Sequence, residues 1–96
     1  MPAYLMVRAH VTDMEQYRQY MKLTPAIAEK YGGVFLVRGG GKVILEGPDA
    51  PERIVLLRFD SVEAARRMYN SEEYQAAIKL RAGAAEASFI VLEGVE

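Results

Sequence analysis

Few side chains in this chain could do chemistry: the one histidine, His10; three arginines set in or beside apolar runs, Arg38, Arg58 and Arg81; and two tyrosines, Tyr69 and Tyr74. His10 is the candidate catalytic group, since imidazole is the usual general base near neutral pH. Asp13 could orient it, although capping a helix is the better use of that carboxylate. Arg38 ends the run Phe35-Leu36-Val37, and Arg58 sits within Leu56-Leu57-Arg58-Phe59. A guanidinium in such a setting needs an anionic partner, because burying it unpaired is costly. That partner is either internal, with Glu73 and Glu86 as candidates, or the carboxylate or phosphate of a ligand held bidentately. Arg81 has the same choice between Glu86 and a pocket, and Arg8 shares a strand face with His10.

Tyrosines 17, 20, 31, 69 and 74 are dense for 96 residues. Aromatics dominate small cores, so packing is their first use, but buried hydroxyls still need partners. Tyr69 and Tyr74 flank Asn70-Ser71, a helix break that could open a cleft with Met14, Met21 and Met68 as pliable walls. Other sites lack their parts. There is no cysteine, so with a single histidine no Cys/His metal framework exists. Glu72 and Glu73 are neighbours on a helix and point apart. Gly39-Gly40-Gly41-Lys42 is followed by a strand pattern instead of Ser/Thr and a helix, so it reads as a hairpin turn and not a phosphate loop. No cofactor and no metal is implied.

The elements that must hold these residues follow from periodicity. Residues 3–11 alternate, with Ala3, Leu5, Val7, Ala9 and Val11 on one face and Tyr4, Met6, Arg8 and His10 on the other. Thr12 or Asp13 caps a helix whose stripe is Met14, Tyr17, Met21, Thr24 and Ala28. Pro25 either kinks this helix or opens a second segment capped by Thr24. Gly32-Gly33 stops it. Val34–Arg38 and Lys42–Glu46 read as a hairpin, and alternation puts Arg38 on one face with Val34 and Leu36. Residues 47–51 form a loop, and Arg53–Phe59 is a central strand with Arg58 on the face of Ile54 and Leu56. Asp60 or Ser61 caps the next helix, with Glu63 placed to box with Asp60. Ser71 caps a shorter helix that carries Tyr74, Ala77, Ile78 and Arg81, and Ala87–Val95 is the last strand.

The order strand, helix, strand, strand, broken helix, strand is the ferredoxin-like split βαβ arrangement: an α+β fold with an antiparallel sheet and helices on one face. Residues 1–96 make one domain. The other sheet face is left bare and largely apolar, which points to a homodimer packed sheet to sheet. Net charge is −1, without a basic stripe, so nucleic acid is not an expected partner. No apolar run is long enough to span a membrane, and the N-terminus lacks a signal-peptide pattern. The chain reads as soluble and cytoplasmic.

The segments Lys30-Tyr31-Gly32-Gly33, Phe35-Leu36-Val37-Arg38-Gly39-Gly40, Tyr69, Ser71, Glu73-Tyr74-Gln75-Ala76, Arg81 and 84–94 together resemble the domain of unknown function 1330 family. The resemblance covers nearly the whole chain in order. It implies a dimeric α+β barrel, a superfamily that includes cofactor-independent oxygenases, isomerases, dehydratases, dismutating haem enzymes and simple ligand binders. Two functions follow as expectations. One is a cofactor-independent enzyme acting on a small organic acid, with Arg38 or Arg58 on the carboxylate and His10 or a tyrosine moving a proton. The other is a non-catalytic dimer that binds or senses a small anionic or aromatic ligand. Convergence of His10, Arg38 and Tyr69 on one cavity would favour the enzyme.

Overall fold

The computed structural model describes residues 1–48 and 52–95. Among these the chain runs β1 (Ala3–Val11), α1 (Met14–Lys30), β2 (Val34–Arg38), β3 (Arg53–Phe59), α2 (Val62–Asn70), α3 (Glu72–Ile78), a 3-10 turn (Lys79–Arg81) and β4 (Ala85–Glu93). The strands form one antiparallel sheet in the order β2-β3-β1-β4. This is the ferredoxin-like α+β arrangement, with the helices on one face. The last strand begins two residues before the expected Ala87. Of the expected loop at 47–51, positions 49–51 lie outside the described residues.

Alternation sets the layers. Leu5 and Val7 of β1 and Val55, Leu57 and Phe59 of β3 are buried under the helices. Tyr17, Tyr20, Ile27 and Ala28 of α1 close over them, and Met68 and Tyr74 complete the same cluster. Met14, expected in the α1 stripe, is instead exposed. Across the sheet the opposite face carries the row Val37–Leu56–Met6–Ile90, one apolar residue from each strand. Val37 and Ile90 are each more than 40% exposed.

Local chemistry fixes the ends. Asp13 caps α1 by accepting from the Gln16 N–H. The helix runs through Pro25 as one element. Proline has no N–H to give the Met21 carbonyl, and the Thr24 hydroxyl donates to that oxygen at 3.5 Å instead. At the far end the Gly33 N–H bonds Ala28 and the Gly32 N–H bonds Glu29, a Schellman closure. It requires the left-handed φ of 85° that Gly32 adopts. Ser61, not Asp60, caps α2. Asp60 turns to Arg58, so no capping box with Glu63 forms.

Two expectations about β2 fail. Lys42–Glu46 is not a strand. The Gly39 N–H donates to the Ile54 carbonyl, so the chain leaves β2 still bound to β3, and β2 keeps its outer edge unpaired among the described residues. Val43 and Leu45 are left over 80% exposed. The second failure is the face of Arg38. The β2–β3 register shifts between Phe35 and Val37, so that Phe35 faces Leu57, Val37 faces Leu56 and Arg38 faces Val55. This bulge at Leu36 moves Arg38 off the face of Val34 and onto the helix-covered face with Phe35.

Ser71 works in both directions at the helix break. Its hydroxyl donates to the Met68 carbonyl at 2.7 Å and accepts from the Tyr74 N–H at 3.2 Å. Ser71→Ala loses the end of α2 and the cap of α3 together and should cost about 1–2 kcal/mol in urea denaturation. A change under about 0.3 kcal/mol would mean that the break is held by packing alone.

Candidate functional site

A partly open cavity of about 50 Å³ lies between α1, α3 and the sheet. Its apolar wall comes from core positions such as Val55, Leu57 and Phe89, and Met21 and Met68 also face it. Its polar lining is Tyr17, Tyr20, Thr24, Tyr74, Arg38 and Arg53, with no carboxylate among the described residues. The Tyr20 and Tyr74 hydroxyls hydrogen-bond each other at 2.5 Å. Burial raises the pKa of Tyr17, Tyr20 and Tyr74, so all three are neutral hydrogen-bonding groups at ordinary pH. Arg38 holds its guanidinium over the Phe35 ring, 4.4 Å from the centroid.

A second space, an open cleft of about 470 Å³, lies beside the α2–α3 break. Tyr69, Asn70, Ile78 and Arg81 line it, and Leu5 and Phe89 wall both it and the first cavity. Arg81 does not pair with Glu86; its guanidinium lies 5.1 Å from the Tyr20 centroid and 5.2 Å from that of Phe89. Tyr69 packs on Tyr74 and Phe89 with centroids 5.5 Å away in each case. The smaller cavity is the ligand site we consider, because its polar groups line one space beside an apolar wall.

His10, Arg38 and Tyr69 therefore do not meet. His10 is exposed on the far face of the sheet, in an open depression with Arg8, Glu52, Glu86 and Ser88. Arg8 is ion-paired with Glu52 at 2.7 Å. Arg58 is also on that face and pairs with Asp60 at 3.1 Å, with neither partner buried. Glu73, considered as a partner for an arginine, is taken by Lys30 at 2.6 Å and by the Tyr31 hydroxyl at 3.0 Å.

Arg53 is the lining residue that sequence reading passed over. The signal was present: Arg53, Val55, Leu57 and Phe59 alternate onto one buried face, so an arginine at the head of that series faces the core side.

The Lys30 ammonium, with the Glu73 backbone N–H and the Tyr31 hydroxyl, lowers the Glu73 carboxyl from 4.5 to about 2. A carboxyl depressed in the folded state stabilises the fold above its unfolded value and loses that contribution as pH falls through the folded value. Wild-type stability should therefore decline between about pH 4.5 and about pH 2. Glu73→Gln should flatten this segment of a urea-midpoint series, and salt should weaken it in the wild type, since the pair is exposed. Equal slopes for the two proteins would remove the pair from the account.

The sequence matches the profile "Domain of unknown function (DUF1330)" over residues 2–95. The chain belongs to this family. Among curated proteins, no sequence matches this family member significantly. Solved structures resemble it in fold. A protein of unknown function from Rhodopseudomonas palustris superposes with a TM-score of 0.79 at 22% identity, covering 99% of this chain and 83% of that one. SnoaB, a cofactor-independent oxygenase from Streptomyces nogalater, gives a TM-score of 0.69 at 10% identity, over 99% and 94% of the two chains. A dimeric ferredoxin-like protein of unknown function from Bacteroides fragilis gives 0.66 at 18%, over 97% and 96%. At these identities the likeness of the DUF1330 chain to them is one of fold. No helix among its described residues is long and apolar enough to cross a membrane.

Proposed function

We propose that this protein is a homodimer that binds a small organic acid in the cavity between its helices and its sheet. The observation that carries this reading is the lining: a guanidinium, Arg38, with tyrosine hydroxyls and an apolar wall, and no carboxylate among the described residues. An acid's carboxylate suits the guanidinium, and its hydrocarbon part suits the wall. The bare sheet row of Val37, Leu56, Met6 and Ile90 is the surface we assign to the second copy. The Bacteroides fragilis protein with the same fold is dimeric, which supports the assembly into a dimer.

Thermal denaturation with straight-chain carboxylates from acetate to octanoate tests the binding. A binder present at 100 times its dissociation constant adds about 2.7 kcal/mol of stability. Stabilisation should peak at a short chain length and vanish for the longest acids. Equal shifts from every acid and from sodium chloride would sink the proposal.

The Tyr20–Tyr74 hydroxyl pair favours a second reading, a cofactor-independent enzyme like SnoaB in chemistry as well as fold. Neutral hydroxyls held in place can stabilise an oxyanion that develops on an enolising acid. The lining offers no histidine or carboxylate as base among the described residues, which is why binding comes first. Exchange of the bound acid's α-protons in deuterium oxide, faster than in buffer and slowed by Tyr74→Phe, would promote the enzyme reading. Exchange at the buffer rate would retire it.

A further inference from the structure

We propose that Arg53 joins Arg38 in a two-arginine clamp on the ligand's carboxylate, and that the ligand is a short aliphatic monocarboxylate. This rests on the reading that the cavity holds a small organic acid. Arg38 ends β2 and Arg53 begins β3, and both line the cavity. The bulge at Leu36 is what turns Arg38 to this side, opposite Val55 and two residues along from Arg53. Arg53 Nη2 donates to the Arg38 carbonyl at 3.5 Å, which ties the two positions together.

Two observations point to an anion between them. Neither arginine has an ion pair among the described residues. Both line a cavity that has no carboxylate among its described lining residues, so an anion there answers two unpaired cations. A guanidinium carries five donors in a fork that matches a carboxylate. Gly39 seats the Arg53 guanidinium: a Cβ there would overlap it, and the left-handed φ of 71° also disfavours a side chain.

Cavity size sets the tail. A volume of about 50 Å³ takes roughly three to five water-sized groups, at about 10–15 Å³ each. With the three heavy atoms of the carboxylate held at the arginines, the remaining space suits a tail of about one or two carbons, which makes butyrate the upper end of the size range and a stringent probe.

Calorimetric titration at low salt with butyrate and its neutral isostere butyramide tests the clamp. Wild type should bind butyrate at least about tenfold more tightly than butyramide, as charge-assisted hydrogen bonds imply. Arg53→Met should lose about tenfold or more in butyrate affinity and leave butyramide unchanged. Arg53→Lys should recover only part, because a lysine cannot present the fork. Gly39→Ala should weaken butyrate more than butyramide. Circular dichroism and thermal midpoints check that each variant folds, and Arg53→Gln replaces the methionine variant if that one does not. If Arg53→Met and Arg53→Gln bind butyrate as wild type does while Arg38→Met does not, the clamp is overturned and the acid-binding cavity stands. If wild type binds neither butyrate nor any other straight-chain acid, the cavity reading itself has failed.

Discussion

Tyr74→Ala should destabilise the protein by about 3–5 kcal/mol, the range for deleting a buried aromatic ring. Tyr74 is 2% exposed and sits at the centre of the aromatic cluster. Its ring packs against Tyr20, Tyr69 and Phe89, with centroids 5.5–6.1 Å away. Truncation leaves a void that these rings fill only by moving, and it strips the Tyr20 hydroxyl of its buried partner. A domain of this size loses about 4–8 °C of thermal midpoint per kcal/mol, so a drop of more than 12 °C is expected. Tyr74→Phe separates the two causes. It keeps the ring and removes the hydrogen bond, and should cost about 1–2 kcal/mol. Urea denaturation at fixed protein concentration reads both. An alanine variant within 1 kcal/mol of wild type would mean that the cluster does not organise the core.

Ile90→Glu should convert the dimer we propose to a monomer. Ile90 lies on the uncovered sheet face, 41% exposed in the single chain, so the substitution leaves the protomer's own core intact. In a symmetric interface it appears twice, and each copy buries a carboxylate with no partner. At about 2 kcal/mol or more per copy, the dissociation constant rises by about three orders of magnitude. Val37→Glu, at the other end of the same row, should behave alike. Sedimentation velocity at micromolar concentration reads the change directly. If both variants sediment as dimers, the sheet face is not the interface.

Much of the fold was legible because its strands obey strict alternation. Ala3 to Val11 and Arg53 to Phe59 each put one buried series against the helices, and Asp13, Gly32 and Ser71 are end signals whose mechanism is local. Failures came where a nonlocal pairing overrode a local pattern. Lys42–Glu46 alternates like a strand, but it pairs with no strand, and β2 takes its partner from β3, further along the chain. The bulge at Leu36 has no residue signature; it exists only in the register between two strands, and it reverses the face of Arg38. The site was legible as types and not as a constellation. Tyr74 and Arg38 do reach one cavity, whereas His10 and Arg58 point to the opposite face by the same alternation that builds the core. Once the sheet's two faces are distinguished, no arrangement of this protomer can bring His10 to Tyr74. Arg53 was readable from its own strand and was passed over for arginines in more apolar runs.

The central claim is that a small acid enters between the helices and the sheet. A backbone amide NMR titration of the wild-type protein with butyrate tests it most directly. Shift changes should cluster at Tyr17, Tyr20, Thr24, Arg38, Arg53 and Val55, which surround the cavity, and should saturate. Changes confined to Arg8, His10 and Ser88, on the far face, or changes that never saturate, would contradict it.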